Sequence, residues 1–481
     1  MTMIRVRIPP SPTGLLHIGT VRTALYNYLF AKHNGGTMVF RIEDTDKERS
    51  TEEYEKDIIN GLVYLGIAGD EGVHMPDSRG YRQSERTDVY KSDLIQLLAE
   101  GKAYYCECSK ERLEEMREQQ RENKQAPRYD GTCRDKKLTE GVIRLRVPED
   151  RGDITWNDLV RGEVTIHAKE LDDFVIARDI DDPLYHLTVV ADDHDMDITH
   201  VIRGEDHISN TPKQILLFEA LGWEIPEYAH LPLILNEDKS KLSKRKNKVS
   251  VDDYLKEGYL PEALLNFLAL LGWNTPDEQE IFSMEEMIQK FTLDHVHKAG
   301  AVFDLKKLEW MNGEYIKKMI AENVDEFYKL ARPFIEGKVK ADETLIKKIL
   351  KDPDFEGRFK KLSDIPEGLS PLFDPLPDYP MDLIAREKFG ITPEMLKQVI
   401  EKAIEVSKKL KWEQGDSTKS QEISDAYVRI VEVLGLKNGQ VLWPVRVALS
   451  GLEKSPNFAT LAVYLGKEEV IKRLEKALSM V

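Results

Sequence analysis

Three short stretches of this 481-residue chain carry residue types that could do chemistry. In Ser11-Pro12-Thr13-Gly14-Leu15-Leu16-His17-Ile18-Gly19-Thr20, two glycines allow a tight turn and close approach to the backbone. Val21, Ala24, Leu25, Tyr28 and Leu29 follow at helical spacing, so the loop opens a helix whose unpaired N–H groups and partial positive charge suit a triphosphate. It is neither a Walker loop, lacking Gly-x-x-x-x-Gly-Lys-Ser/Thr, nor a Gly-x-Gly-x-x-Gly dinucleotide fingerprint. The second stretch, Asp238-Lys239-Ser240-Lys241-Leu242-Ser243-Lys244-Arg245-Lys246, interleaves cations with hydroxyls. Alone it reads as a solvated basic loop; beside the first it reads as a loop that closes over phosphates and neutralises a pyrophosphate leaving group. The third holds the only cysteines, Cys106, Cys108 and Cys133, an odd and sparse set that makes a disulfide framework improbable.

The elements that must position these groups are legible in part. Met3 to Pro9 alternates as a strand, Asn34-Gly35-Gly36 closes the first helix, and Thr37 to Ile42 forms a second strand ending in Glu43-Asp44-Thr45-Asp46. Strand, helix, strand is a βαβ unit, which implies a parallel sheet with ligands at the carboxyl ends of its strands. From about Tyr81 to Leu187 a polar helix, Lys110 to Lys124, and short β-like pieces at Val142 to Val147 and Val164 to His167 suggest an inserted α+β module. The parallel-sheet pattern is expected to resume at Leu187 to Val190 and Ile198 to Arg203, followed by a helix over Thr211 to Leu221. Beyond Lys239 the chain reads as mostly helical, with a proline cluster from Pro366 to Pro380 as a boundary between helical modules.

Composition narrows the class. Lys and Arg number 69 and Asp and Glu 86, giving a net charge of −17, so nonspecific coating of nucleic acid is excluded and any such partner must meet a locally basic face. The longest apolar stretch, Leu264 to Leu271, is broken by Asn266 and is too short to span a bilayer, and Met1 to Arg5 has no apolar signal core. A cytoplasmic enzyme of about three domains, with no membrane role and monomeric, is expected.

His17-Ile18-Gly19-Thr20 resembles the HIGH signature, and Lys241-Leu242-Ser243-Lys244-Arg245 the KMSKS signature, of class I aminoacyl-tRNA synthetases. Around them Arg7 to Gly14, Arg41 to Asp46, Tyr81 to Arg86, His200 to Asp206, Trp310 to Gly313 and Leu442 to Gly451 resemble landmarks of bacterial-type glutamyl-tRNA synthetases, in family order over essentially the whole chain. Thr20 departs from the second histidine of HIGH, and Leu242 and Arg245 from the Met and final Ser of KMSKS, leaving His17 as the one motif imidazole able to act on phosphate. The resemblance implies ATP-dependent activation of L-glutamate and its transfer to tRNA(Glu), with tRNA(Gln) as a second candidate, and Mg²⁺ accompanying ATP. His17 and Lys244 become the catalytic pair, and Gly19, Thr20, Lys241, Ser243, Arg245 and Glu205 further ATP contacts. Arg7, Ser11, Glu43, Tyr185 and Arg203 form the glutamate pocket: Arg7 suits a two-pronged contact with the side-chain carboxylate, Glu43 the substrate ammonium.

The cysteines in turn resemble a zinc-bearing insertion found in part of this family. Asp135, two residues after Cys133, is the expected fourth ligand and Tyr129 the alternative; a metal-free knuckle is the competing reading. The implied fold is α/β: a Rossmann-like parallel-sheet catalytic domain in two halves, 1–80 and 188–240, split by an α+β acceptor-binding insertion over 81–187. All-α parts follow: a stem-contact domain, 241–320, and anticodon-binding subdomains at 321–380 and 381–481, whose Lys347, Lys348, Lys351, Arg358, Lys360 and Lys361 are candidate phosphate contacts. A glutaminyl enzyme fits less well because its anticodon region is a β-barrel, a truncated glutamyl-queuosine relative because of the long tail, and an inactive RNA-binding scaffold because His17, Lys244, Arg7 and Glu43 are all present.

Overall fold

The computed structural model describes residues 3–242 and 250–481, apart from the Lys169 side chain, so Ser243, Lys244 and Arg245 lie outside the described residues. The chain divides into two units, Met1–Leu255 with Pro261–Leu305, and Lys256–Leu260 with Lys306–Val481.

The first unit opens with β1 (Arg5–Ile8), α1 (Ile18–His33), β2 (Thr37–Phe40), α2 (Glu52–Tyr64) and β3 (Glu71–Gly72). All three strands pair in parallel in the order β1-β2-β3. β1 is buried on both faces, as interior strands of parallel sheets are, and this draws Arg7 inside along with Val6 and Ile8. The next elements are α3 (Thr87–Ala99), β4 (Ala103–Cys106), α4 (Lys110–Glu122), β5 (Val142–Leu145), β6 (Asp153–Asp158), β7 (Gly162–His167), β8 (Val175–Asp179), β9 (Asp182–Pro183), α5 (Tyr185–Asp195), β10 (His200–Gly204), α6 (Thr211–Leu221) and β11 (Glu227–Leu231). Strands β10 and β11 are parallel, and β10 lies beside the free edge of β1, where the Thr199 N–H donates to the Arg5 carbonyl at 3.0 Å.

Two expectations are corrected here. Leu187 to Val190 is not a strand but the middle of α5: Leu187, Thr188, Val189, Val190 and Ala191 are all buried, and a run apolar on every side gives no period that separates helix from strand. Nor is the 81–187 stretch wholly an insertion, because its β6 joins the catalytic sheet in parallel with β11 through Tyr228 and Asp158 and carries β7 as an antiparallel edge. The separate antiparallel sheet β4-β5-β8-β9, with α4, is the inserted module proper.

The unit ends with β12 (Ile234–Leu235), α7 (Val251–Lys256), α8 (Pro261–Ala269), α9 (Met284–Lys290) and β13 (Ala301–Val302), the last pairing with β12 in parallel. Helix α1 is wrapped by this packing; the Tyr26 hydroxyl donates to the Ala269 carbonyl at 2.8 Å.

In the second unit, α10 (Leu305–Ile335) is interrupted at Asn323, whose φ of −156° and ψ of 88° are not helical and whose Oδ1 accepts from the N–H groups of Asp325 and Glu326, starting the helix afresh. Then follow α11 (Glu343–Leu350), α12 (Ile365–Phe373), α13 (Met381–Ile384), α14 (Pro393–Lys409), α15 (Ser420–Leu434), α16 (Asn438–Ser450), α17 (Phe458–Leu465) and α18 (Lys467–Leu478). Pro366 and Pro371 lie inside α12, Pro366 in its first turn where no N–H is needed. Buried Arg473 ties this packing together by donating to the carbonyls of Pro371 and Leu449, both at 2.6 Å. No helix among the described residues is long and apolar enough to cross a membrane.

Candidate active site

A cavity of about 470 Å³ opens at the carboxyl ends of β1 and β10, beside the N-terminus of α1. It brings together Arg7, Ser11, His17, Gly19, Thr20, Glu43, Tyr185, Arg203 and Lys241 from distant parts of the sequence. His17 is the N-cap of α1, with extended φ and ψ of −100° and 143°, and its Nδ1 accepts the Gly19 N–H at 3.0 Å. With Nδ1 accepting, a ring proton lies on Nε2. A Cβ at position 19 would come within 3.1 Å of His17 Nδ1, so glycine there is part of how the imidazole is set.

Arg7 and Arg203 are both buried in the wall. Arg7 Nε donates to Asp193 Oδ1 at 3.2 Å, while its Nη1 is buried with no hydrogen-bond partner, an unsatisfied cationic donor at the cavity. Each nitrogen of Arg203 has a protein acceptor: His230 Nε2 at 3.2 Å, Gln214 Oε1 at 2.8 Å and Thr211 Oγ1 at 2.8 Å. Burial lowers the Arg203 pKa, and nearby Arg7 acts in the same direction. Two buried guanidinium groups in one wall therefore call for an anion.

Glu43 faces them. Burial pushes its carboxyl up to about 7, against the pull of Arg41 and Arg7. Arg41 donates to Glu43 Oε1 at 3.1 Å and to Asp193 Oδ1 at 2.5 Å, so one buried chain, Arg7–Asp193–Arg41–Glu43, sets both ends of the pocket. Tyr185, pushed up to about 12 by burial, keeps its hydroxyl proton and stands 3.2 Å from His207 Nδ1.

Glu205 is corrected as an ATP contact. It does not line the cavity; its carboxylate accepts the Leu233 N–H at 2.8 Å and pairs with Arg161, which fixes the chain entering β12. Its neighbour Asp206 lines the cavity instead and pairs with Lys241 at 3.1 Å.

A second cluster lies in the inserted module, where the Sγ atoms of Cys106, Cys108 and Cys133 all fall within 4.8 Å of one another. The Tyr129 hydroxyl is 3.4 Å from Cys106 Sγ and 3.7 Å from Cys108 Sγ, and Cys108 Sγ is 3.5 Å from Cys133 Sγ. Metal–sulfur and metal–oxygen distances of roughly 2.3 and 2.0 Å place tetrahedral ligand atoms about 3.3 to 3.8 Å apart, so these separations fit zinc. Asp135 does not fit the expectation of a fourth ligand: its side chain is 87% exposed and pairs with Arg146 at 3.1 Å, whereas the Tyr129 oxygen lies among the thiols.

Comparison with known proteins agrees with this geometry. Residues 3–310 match the family model described as tRNA synthetases class I (E and Q), catalytic domain, and residues 321–478 match the anticodon binding domain. A glutamate–tRNA ligase from Thermodesulfovibrio yellowstonii is 43% identical over 489 residues, covering 99% of each chain. The chain belongs to the glutamate–tRNA ligase family. Glutamate–tRNA ligase 2 of Thermoanaerobacter pseudethanolicus is 41% identical over 499 residues, 100% of this chain and 99% of the relative. The crystal structure of a glutamate tRNA ligase from Elizabethkingia meningosepticum in complex with its amino acid superposes with a TM-score of 0.87 at 36% identity, covering 99% of each chain.

For a member of the glutamate–tRNA ligase family, the groups that sequence reasoning passed over are those behind the pocket rather than in it. Arg41 stood unassigned within a recognised landmark, and Asp192 and Asp193 sit on the buried side of α5. Two adjacent acids inside an otherwise apolar run were the available signal, because buried charges are paired. Asp192 accepts from Gln83 at 2.9 Å, Arg86 at 2.7 Å and Tyr90 at 2.8 Å, and so locks α5 to α3 and the turn before it.

Proposed function

We propose that this chain activates L-glutamate with ATP and transfers it to tRNA(Glu). The observation that carries the reading is the buried, unpartnered Arg7 Nη1 in the same cavity as Glu43. An amino acid whose side chain ends in a carboxylate satisfies the first, and its ammonium the second. The α-carboxylate then attacks the α-phosphorus of ATP, the bond to the bridging oxygen breaks, and pyrophosphate leaves; in the second step a hydroxyl of the terminal ribose displaces AMP. Neither step needs a covalent enzyme nucleophile, so orientation and charge stabilisation, each able to supply several kcal/mol, are sufficient. His17 Nε2 and the N–H groups opening α1 meet the phosphates, with Lys241 across the cavity and Lys244 as the cation that follows pyrophosphate. Mg²⁺, when bound with ATP, neutralises phosphate charge.

Charging of purified tRNA(Glu) and tRNA(Gln) with labelled glutamate tests this reading and separates strict from relaxed tRNA choice. Incorporation into tRNA(Glu) is expected, and none into either tRNA overturns the proposal. In the helical unit Lys347 is already ion-paired with Asp325 at 2.6 Å and with Glu343, and Lys360 with Glu309 at 3.5 Å, so exposed Lys348 and Lys351 are the better phosphate contacts.

The insert is proposed to hold one zinc ion through Cys106, Cys108, Cys133 and Tyr129. Protein purified without added metal is expected to contain about one zinc per chain, and Cys108→Ser to lose it while Asp135→Ala keeps it. A wild-type zinc content near zero contradicts the site, and zinc loss in Asp135→Ala contradicts the ligand set.

A further inference from the structure

The peptide that presents His17 is held from behind by groups outside the cavity. The Leu16 N–H donates to Asp57 Oδ2, on α2, at 2.6 Å, and the Leu16 carbonyl accepts the Val251 N–H, at the start of α7, at 3.1 Å. His17 itself forms an antiparallel bridge with Ser250. Leu16 is buried, and its N–H has the Asp57 carboxylate as its acceptor. The Leu16 side chain rests on α2 at Gly61, where a Cβ would fall 2.4 Å from Leu16 Cδ2.

Packing alone does not lock the loop from this side. A cavity of about 420 Å³ lies behind it, lined in part by Leu16, Asp57, Asn60, Tyr64 and Val251. Where side chains leave that much room, the loop position depends on directed bonds. A shift of the Leu16–His17 peptide carries the imidazole and the α1 N–H groups with it, and a displacement near 1 Å can cost about a hundredfold in rate.

We infer that Asp57 is a positioning residue, acting through the Leu16 N–H to hold His17 and the α1 N-terminus in register with the phosphates. The inference rests on the adenylating role proposed above. It places Asp57 outside glutamate binding, because the carboxylate reaches the loop backbone and not the Arg7–Glu43 pocket.

The test is glutamate-dependent ATP–pyrophosphate exchange in the presence of tRNA(Glu). Asp57→Leu, similar in size but with no acceptor, is expected to lower kcat at least tenfold while KM for glutamate stays within twofold. Asp57→Asn keeps an acceptor oxygen and is expected to restore kcat to within threefold of wild type, a rescue that loss of charge or of general stability would not give. Asn60→Ala, in the same cavity wall but without the Leu16 bond, is expected to behave as wild type. If Asp57→Leu is not recovered as folded protein, Asp57→Ala carries the test, since it removes the same acceptor without placing a larger apolar side chain in the cavity wall. It is then expected to show the same fall in kcat with unchanged KM for glutamate. Wild-type kcat in Asp57→Leu or its substitute, or a rise in KM for glutamate matching the loss, overturns the inference. Inactive wild-type protein would instead overturn the functional reading.

Discussion

Arg7→Ala is expected to lower kcat/KM for glutamate about a thousandfold, with KM for ATP within threefold of wild type. Strand burial sets the effect: β1 is interior, Arg7 is carried in with it, and Nε is occupied by Asp193 while Nη1 is not. A buried cation with a spare donor binds a carboxylate through charge-assisted bonds of roughly 1.5 to 3 kcal/mol each, and two of them correspond to about 10² to 10⁴ in affinity. Arg7→Lys is expected to recover little, since an ammonium is a point charge that cannot serve Asp193 and the substrate in the forked geometry of a guanidinium. The scaffold survives the change because Asp193 still has Arg41 at 2.5 Å. Glutamate titrations of charging rate check both variants, and a kcat/KM within tenfold of wild type in Arg7→Ala would remove Arg7 from the pocket.

The second large effect belongs to Glu43. Burial raises its carboxyl to about 7, so the empty pocket at pH 6 holds mostly the protonated acid. A substrate ammonium beside it favours the carboxylate, and binding below pH 7 must therefore expel a proton. Glutamate affinity is expected to fall by up to about tenfold per unit as pH drops below 7, and to be flat above it until other groups titrate. Calorimetry at pH 6.5 in buffers of different ionisation enthalpy is expected to report release of most of one proton. Glu43→Gln is expected to weaken glutamate about a hundredfold at pH 7.5, the size of one buried charge-assisted contact, and to abolish the proton release. Release that persists in Glu43→Gln assigns the titration elsewhere.

What was legible in the sequence was what the chain encodes locally. The Ser11 to Thr20 loop shows its own glycines, its own histidine and the helix it opens, so the structure places His17 at the N-cap as that pattern implies. Pocket residues on strand ends, Arg7 and Glu43, were also within reach, because parallel strands present their carboxyl ends to ligands. The misplacements have a common cause: they depend on direction, which neighbouring residues do not reveal. Glu205 and Asp206 are adjacent acids, yet the turn they occupy sends one back to Leu233 and Arg161 and the other into the cavity. Asp135 has a plausible ligand spacing, but it is the Tyr129 hydroxyl that meets the thiols, while Asp135 turns to Arg146 in solvent. The strand β6, inside what reads as an insertion, is recruited by β11, a pairing between residues 70 apart in sequence that no local pattern encodes. The Arg7–Asp193–Arg41–Glu43 chain is of the same kind, since it joins three elements only once α5 is known to be a helix with its acids inward.

The β1–β10 cavity is expected to hold glutamate with its side-chain carboxylate on Arg7 and its ammonium on Glu43. A crystal structure of the protein with a non-hydrolysable glutamyl-adenylate analogue measures this most directly. The predicted result is a side-chain carboxylate within hydrogen-bonding distance of Arg7 Nη1, the ammonium on the Glu43 carboxylate and the phosphate beside His17 and the start of α1. An analogue bound with its side chain away from Arg7, or outside this cavity, would contradict the account.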